Sequence, residues 1–128
     1  MKSLGTLGGQ YSEGYAINNK GQIAGGAATA TGAWHAFITM AGKLKDIDKG
    51  PTSVSTGFGI NDSGIVVGQA NDQAFVYDGK KMKDLNSLIP QNLGWTLYVA
   101  SGINDAGEIV GYGTRNGTTL HAFLLTPR

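Results

Sequence analysis

Cysteine is absent from this chain, proline is rare, and no long hydrophobic run occurs. Without cysteine the chain forms no disulfide bridge and offers no thiolate ligand to a metal. No segment approaches the roughly 18 consecutive apolar residues of a membrane-spanning helix, and the first residues lack the apolar stretch of a signal peptide. We therefore expect no membrane partner and no cysteine-based metal centre.

An excess of charge of one sign is missing too. Ten basic and nine acidic residues give a net charge of +1, and the lysines are scattered apart from Lys80, Lys81 and Lys83. Binding to a phosphate backbone needs a basic stripe or patch. We therefore expect no nucleic-acid partner.

Glycine is abundant, at 21 of 128 residues, and its positions reveal an internal repeat. The motif Ile-Asn-(Asn or Asp)-x-Gly starts at Ile17, Ile60 and Ile103, at a constant interval of 43 residues. An interval of this length is typical of proteins in which similar structural units pack side by side.

Two further motifs complete each unit. The copies of the second motif, His-Ala-Phe or Gln-Ala-Phe, are residues 35–37, 73–75 and 121–123. The copies of the third, an apolar-Lys-polar-apolar block, are residues 44–47, 82–85 and, at the other end of the chain, 1–4. The whole chain, 1–128, is therefore predicted to be one domain of three circularly permuted β repeats. Their approximate bounds are 5–47, 48–85, and 86–128 together with 1–4.

Each unit contains four segments rich in strand-forming residues, so we predict an all-β fold. In the middle copy these segments are 55–60, 65–69, 73–77 and 81–85. Turn signals at 61–64 and at Asp78-Gly79 separate them. Apolar residues are consecutive within several segments, which indicates strands covered on both faces.

The blocks "LGTLGG", "AINNKGQIAGG", "HAFITMAGKLKDI", "GINDSGIVVGQ" and "GINDAGEIVGYG…HAFLL" resemble the HAF repeat of bacterial proteins described as probable extracellular repeat proteins. The resemblance covers nearly the whole chain and implies an extracellular location. It brings no catalytic residues, because the family has no assigned activity. The chain departs from the pattern at Gln73, which replaces a histidine, and in an insertion at 87–99.

A four-stranded unit of about 43 residues has the size of a propeller blade, and a first strand that closes the last blade is the usual closure of propellers. Three blades are fewer than the typical four to eight or so. We therefore predict propeller-like blades and a homodimer that completes a six-bladed ring. The alternative is a β-trefoil, a single barrel of three units that would stand as a monomer.

Candidate catalytic and metal-binding residues are few. His35 and His121 occupy equivalent positions of different copies, so we expect each to hydrogen-bond backbone rather than to share a site. The repeated turns offer one carboxylate each, Asp62 and Asp105, which suits turn capping better than a calcium site. We predict no catalytic residues, no metal and no cofactor. A hydrolase on a propeller scaffold is the alternative.

Aromatic residues in or beside the variable segments are the best candidates for ligand binding. They are Trp95, Tyr98, Trp34 and Tyr112. Such side chains provide platforms for a sugar ring or for a partner's apolar anchor. The prediction is a non-catalytic binding or structural module with a glycan or protein partner, and Trp95 is the first candidate for the ligand site or the dimer interface.

Overall fold

The computed structural model of the protein describes residues 1–48, 50 and 54–127, and in these residues the fold is all-β, as predicted. Three antiparallel sheets follow one another along the chain, and none of them closes into a barrel in the described residues. Lys49, residues 51–53 and Arg128, which the repeat frame assigns to the second and third units, lie outside the described residues. No helix of the described part is long and apolar enough to cross a membrane.

The strands of each sheet are consecutive in sequence and joined by hairpins. Sheet 1 contains β1 (Gly8–Ile17), β2 (Ile23–Thr29), β3 (Trp34–Met40) and β4 (Lys43–Asp46). Sheet 2 contains β5 (Ser55–Ile60), β6 (Val66–Ala70), β7 (Gln73–Tyr77) and β8 (Met82–Asp84). Two short 3-10 helices, Leu85–Leu88 and Gln91–Leu93, lead to sheet 3, which contains β9 (Trp95–Ile103), β10 (Ile109–Arg115) and β11 (Leu120–Leu125).

The glycine in the second strand of each sheet allows two strands and a phenylalanine ring to pack closely. A Cβ at Gly68 would overlap the carbonyl oxygen of Thr56 on β5 and would press on the ring of Phe75 on β7. Gly25 and Gly111 have the same surroundings in sheets 1 and 3. Glycine and phenylalanine therefore recur together in every repeat, because the phenylalanine ring lies over the glycine backbone where a side chain would collide with it.

The sheets stack face to face, and two apolar clusters fill the junctions. The cluster between sheets 1 and 2 contains Ala24, Ala36, Ile38, Ile47, Ile60, Val66, Phe75 and Tyr77. The cluster between sheets 2 and 3 contains Val67, Ala74, Leu85, Leu97, Ala100, Ile109 and Phe123. The consecutive residues Val66 and Val67 thus enter opposite clusters, which confirms that this strand is covered on both faces.

The structure differs from the sequence prediction at the amino terminus. Residues 1–6 carry no strand, and sheet 3 ends at β11 with three strands in the described chain. The physical reason is the stacking order. Sheet 2 lies between sheets 1 and 3, so the segment that leads into β1 starts at the end of the stack opposite β11.

Candidate functional site

The four predicted aromatic residues lie in different surroundings and do not form one site. Trp34 begins β3, and its Nε1 donates a hydrogen bond of 3.0 Å to Oγ1 of Thr56 in sheet 2. A Cβ at Gly26 would overlap the Trp34 indole, so this ring lies against the sheet. Trp34 therefore packs and hydrogen-bonds across the junction between sheets 1 and 2.

Trp95 lies at the start of β9, where it pairs with Arg115 on β10, rather than in a loop. Its ring makes edge contacts with the rings of Phe123 and His121, each at a centroid distance of 6.5 Å. The indole is half-buried, and it lines a cavity of about 370 Å³ together with Arg115, Asn116, Thr118, His121 and Ala122. Trp95 thus combines a packing contact with an open, polar surrounding.

Tyr112 lines a second cavity, of about 320 Å³, near the first strands of the three sheets. The cavity also includes Tyr15 and Phe58, whose rings meet edge to face at a centroid distance of 5.1 Å. The Tyr15 hydroxyl donates to Glu13 Oε1 at 2.8 Å, and this bond raises the pKa of Tyr15. Sequence reasoning missed Tyr15 and Phe58, although their spacing of 43 residues marks them as one repeat position. Tyr98 is half-buried within β9.

The two histidines are separate, as predicted, but their partners differ from the expected backbone groups. His35 is buried, and its Nδ1 lies 2.8 Å from Oδ2 of Asp46 on the neighbouring strand. Its Nε2 is buried without a hydrogen-bond partner in the described chain. His121 is exposed and lies 3.2 Å from the Thr119 hydroxyl. The described residues contain no group of three or more histidine, aspartate or glutamate side chains that could hold a metal ion.

The repeated Asn-containing turns form a hydrogen-bonded ladder from one sheet to the next. Asn18 Nδ2 donates to the carbonyl oxygen of Asn61 at 2.9 Å, and Asn61 Nδ2 donates to that of Asn104 at 3.1 Å. Asn61 Oδ1 also accepts from two backbone N–H groups at its own turn, so the expected turn capping comes from the asparagine, whereas the carboxylates of Asp62 and Asp105 accept from a neighbouring turn. The link between turns of different sheets was not foreseen.

A second set of bonds runs parallel to the first. The backbone N–H of Asn19 donates to Asp62 Oδ1 at 2.8 Å, and that of Asp62 donates to Asp105 Oδ1 at 2.8 Å. Asn19 Nδ2 donates to the other oxygen of Asp62, also at 2.8 Å. These bonds from Asn19 lower the pKa of Asp62. The middle turn, with Asn61 and Asp62, is thus both an acceptor from the first turn and a donor to the third.

The ladder ends within the chain at both sides. Asn104 Nδ2 donates only locally, to Glu108 Oε1 at 2.8 Å, since the described residues contain no fourth turn of this kind. At the first turn, the carbonyl of Asn18 and the side-chain oxygen of Asn19 are equivalent to the acceptors of the middle turn, the carbonyl of Asn61 and the carboxylate of Asp62. One end of the stack therefore carries donors of the ladder and the other end carries acceptors.

The outer face of sheet 3 is apolar and exposed, although its counterparts in sheets 1 and 2 are buried. Ala24 and Val67 are each 0% exposed, whereas the equivalent Val110 is 47% exposed. Leu124 is 59% exposed, whereas the equivalent Ile38 is buried in the first junction. We call this surface, formed by Val110, Ala122 and Leu124, the carboxy-terminal face.

Sheet 1 has the opposite kind of open face. Ile60 faces sheet 1 and is 7% exposed, whereas the equivalent Ile17 is 67% exposed. Ile23, which pairs with Ile17 across the hairpin, is half-buried, and Phe37 is already buried. We call the surface around Ile17 and Ile23 the amino-terminal face. The stack therefore ends in two faces that correspond to the two sides of its internal junctions.

Comparison of the chain with protein-family models, with curated proteins and with solved structures finds no match. Function is therefore inferred from the two open faces and the aromatic cavities.

Proposed function

We propose that this chain is a non-catalytic binding module that associates with a second copy of itself, so that two stacks of three sheets form one propeller-like ring of six. One observation carries the proposal. Repeat positions that are buried at the internal junctions, such as Val67 and Ile60, carry exposed apolar residues at the two ends, Val110 and Ile17.

The two end faces are complementary because every junction uses the same pair of surfaces. Sheet 2 meets sheet 1 with the surface that contains Ile60, and it meets sheet 3 with the surface that contains Val67. Packing the carboxy-terminal face of one copy on the amino-terminal face of the other would repeat this junction. In a two-fold dimer the same contact forms twice, and no apolar face stays open.

The hydrogen-bond ladder supports the same pairing. The N–H of Asp105 would donate to the side-chain oxygen of Asn19 in the second copy, just as that of Asp62 donates to Asp105 within the chain. Asn104 Nδ2 would donate to the carbonyl of Asn18 in the second copy, just as Asn61 donates to Asn104. Donor and acceptor ends thus match without any new kind of contact.

The apolar character of the exposed residues at the two ends favours a closed ring over an isolated stack. Isolated repeat stacks need terminal units with polar outer faces to stay soluble. Here Val110, Leu124 and Ile17 keep apolar side chains on the outer faces. Propellers of about four to eight blades are common, so a ring of six sheets lies within the usual range, and three separate sheets fit it better than the single barrel of a trefoil.

Light scattering after size exclusion, over a range of concentrations, tests the proposal. The unchanged chain should have about twice the mass of the 13.3 kDa chain. Leu124→Glu and Val110→Glu should give monomers that remain folded, because both side chains are exposed in the single chain. Leu88→Glu is the matched control, since Leu88 is 56% exposed but belongs to neither end face, and it should remain a dimer. A monomeric wild-type chain at every concentration would overturn the ring.

Carbohydrate recognition is a second candidate, favoured by the cavity beside Trp95. The half-buried indole provides an apolar surface, and Arg115, Asn116 and His121 provide hydrogen-bonding groups around it. A sugar ring that stacks on an aromatic face and bonds to such polar groups fits this chemistry.

A glycan array with fluorescently labelled protein tests this candidate. Binding that is lost in Arg115→Ala and in Trp95→Ala, but kept in Tyr112→Ala, would assign it to the Trp95 cavity. Arg115 is the more informative site because it is exposed and its removal should leave the core intact. An array without any signal would contradict this second function and leave the ring untouched.

A further inference from the structure

The outer edge of β11 is the most incomplete part of the fold. The third strand of sheet 1, β3, pairs with β2 and β4, and the third strand of sheet 2, β7, pairs with β6 and β8. In the described residues β11 pairs with β10 alone. Its other edge leaves backbone N–H and C=O groups available to a further strand.

Residues 1–4 carry the sequence that forms the missing strand elsewhere. The block at residues 44–47 consists of the end of β4 and Ile47, and the block at residues 82–85 consists of β8 and Leu85. The same block occurs a third time as Met1-Lys2-Ser3-Leu4. Ile47 and Leu85 are buried in the two junction clusters, at 2% and 3% exposure, while the equivalent Leu4 is only half-buried. The amino-terminal block thus has the residues of a fourth strand but joins no sheet in the described residues.

The position of the amino-terminal segment shows which sheet it can join. Between sheets 1 and 2, the Ser55 hydroxyl donates to Asp48 and holds the chain that leaves β4 for β5. The equivalent Ser12 hydroxyl donates to the carbonyl of Gly5, which stands at the position of Asp48. Residues 5–7 therefore lead into β1 as a linker from a preceding sheet would, and the described residues place no such sheet on that side.

We infer that Met1–Leu4 of each copy pairs antiparallel with β11 of the other copy and forms the fourth strand of its sheet 3. The inference rests on the proposed ring, in which sheet 3 of one copy precedes sheet 1 of the other. Each chain would then close the last sheet of its partner, and the two exchanged strands would clamp both contacts of the ring.

The internal sheets predict the register of the exchanged strand. Ile38 lies opposite Lys45, and Val76 lies opposite Lys83, so Leu124 should lie opposite Lys2 of the second copy. The N–H of Ile47 donates to the carbonyl of Ala36 at 3.2 Å, so that of Leu4 should donate to Ala122 across the dimer. The N–H of Ala36 donates to Ser55 Oγ at 2.9 Å, so that of Ala122 should donate to Ser12 of the second copy.

Disulfide trapping between two different chains tests the exchange, and the absence of native cysteine makes it selective. A chain with Lys2→Cys and a carboxy-terminal tag is mixed with an untagged chain with Leu124→Cys and then mildly oxidised. A covalent heterodimer should form in high yield. The control replaces the second chain by one with Leu120→Cys. Leu120 is 61% exposed, as against 59% for Leu124, but it lies four residues away along β11, or about 13 Å.

The mixing experiment has three distinguishable outcomes when the masses of the unoxidised mixtures are measured in parallel, and a double variant adds a separate check. Preferential trapping at position 124 over position 120, by tenfold or more, supports the exchange. A stable dimer without that preference overturns the exchange but leaves the ring standing. A monomeric mixture overturns the ring and the exchange together. Trapping within one chain, seen as a fast-migrating monomer in a Lys2→Cys, Leu124→Cys double variant, would also overturn the exchange between copies.

Discussion

Sheets 2 and 3 are built from the same motifs but have different neighbours. Sheet 2 has four strands and a packed sheet on each face, so Val66 and Val67 are both fully buried. Sheet 3 has three strands and one covered face in the described chain, and the equivalent residues Ile109 and Val110 divide into a buried and an exposed side chain. In this architecture the burial of a residue is therefore decided by the neighbouring sheet and not by its own strand.

The largest expected effect concerns the doubly covered sheet. Phe75→Ala removes a ring that is 1% exposed, packs over Gly68 and belongs to the apolar cluster of the first junction. The free energy of unfolding should fall by about 3–5 kcal/mol, the usual cost of deleting a buried phenylalanine ring. Urea denaturation followed by circular dichroism measures it. Leu88→Ala, an exposed control, should stay within about 0.5 kcal/mol of the wild type. A loss below 1 kcal/mol or so for Phe75→Ala would contradict the junction as described.

The second prediction compares one repeat position in the two environments. Ile60→Ala should lower the free energy of unfolding by about 2–5 kcal/mol at every protein concentration, because Ile60 is buried within the chain. Ile17→Ala should have little effect on a dilute monomer, since Ile17 is 67% exposed there. Its effect should instead be a weaker dimer, visible as a higher midpoint concentration in dilution light scattering. An equal loss in the free energy of unfolding for both variants in the monomer would contradict the distinction between an internal junction and an open end face.

The repeat frame predicts most of sheet 2 from the sequence. The expected segments 55–60 and 73–77 coincide with β5 and β7, and the expected segments 65–69 and 81–85 agree with β6 and β8 to within one residue at either end. The signals are local, since turn residues separate short apolar runs and each run finds its partner in the next hairpin. The resemblance to the HAF repeat stays a prediction.

The candidate site was harder to predict because its contacts join distant parts of the chain. The sequence places Trp34 beside a variable segment, but its bond to Thr56 depends on how two sheets stack. The block at residues 1–4 matches a fourth strand, but a motif match does not say whether its sheet belongs to the same chain. The turn ladder is visible in sequence only as a spacing of 43 residues, which does not distinguish capping within a turn from bonding between turns.

The third prediction compares a turn in the middle of the ladder with one at its end. Asn61 is 4% exposed and bonds both to its own turn and to Asn104, so Asn61→Ala removes the acceptor of the part-buried N–H groups of Ser63 and Ile65 as well as the bond to the next turn. The free energy of unfolding should fall by about 1–3 kcal/mol. Asn104→Ala removes bonds to exposed groups only and should cost about 0.5–1.5 kcal/mol in the monomer. Urea denaturation of Leu124→Glu monomers carrying either change makes the comparison. An equal or larger loss for Asn104→Ala would contradict the cross-sheet role of the ladder.

The smallest expected effect is a pH dependence of the protein's stability, caused by the bonds between Asn19 and Asp62 in the ladder. The hydrogen bonds from Asn19 to Asp62 lower the pKa of Asp62 below its unfolded value of about 3.9. A lowered pKa in the folded state contributes stability that is complete above the unfolded pKa and is lost as the pH falls through the folded pKa. Asp62→Asn should therefore flatten the acid side of the stability curve, measured as the urea midpoint at a series of pH values below about 5.

Asn19→Asp is the matched control, and its stability relative to the wild type should rise rather than fall on acidification. It replaces the amide that lies 2.8 Å from Asp62 Oδ2 by a second carboxylate, so the two groups repel each other when both are charged. The variant should be less stable than the wild type at neutral pH and should recover part of the difference on acidification, as one carboxyl group becomes protonated. If Asn19→Asp and Asp62→Asn shifted the urea midpoint in parallel at all pH values, the bonds from Asn19 would not be the cause of the acid dependence. The link between sheets 1 and 2 would then depend on apolar packing, with the ladder setting only the register of the turns.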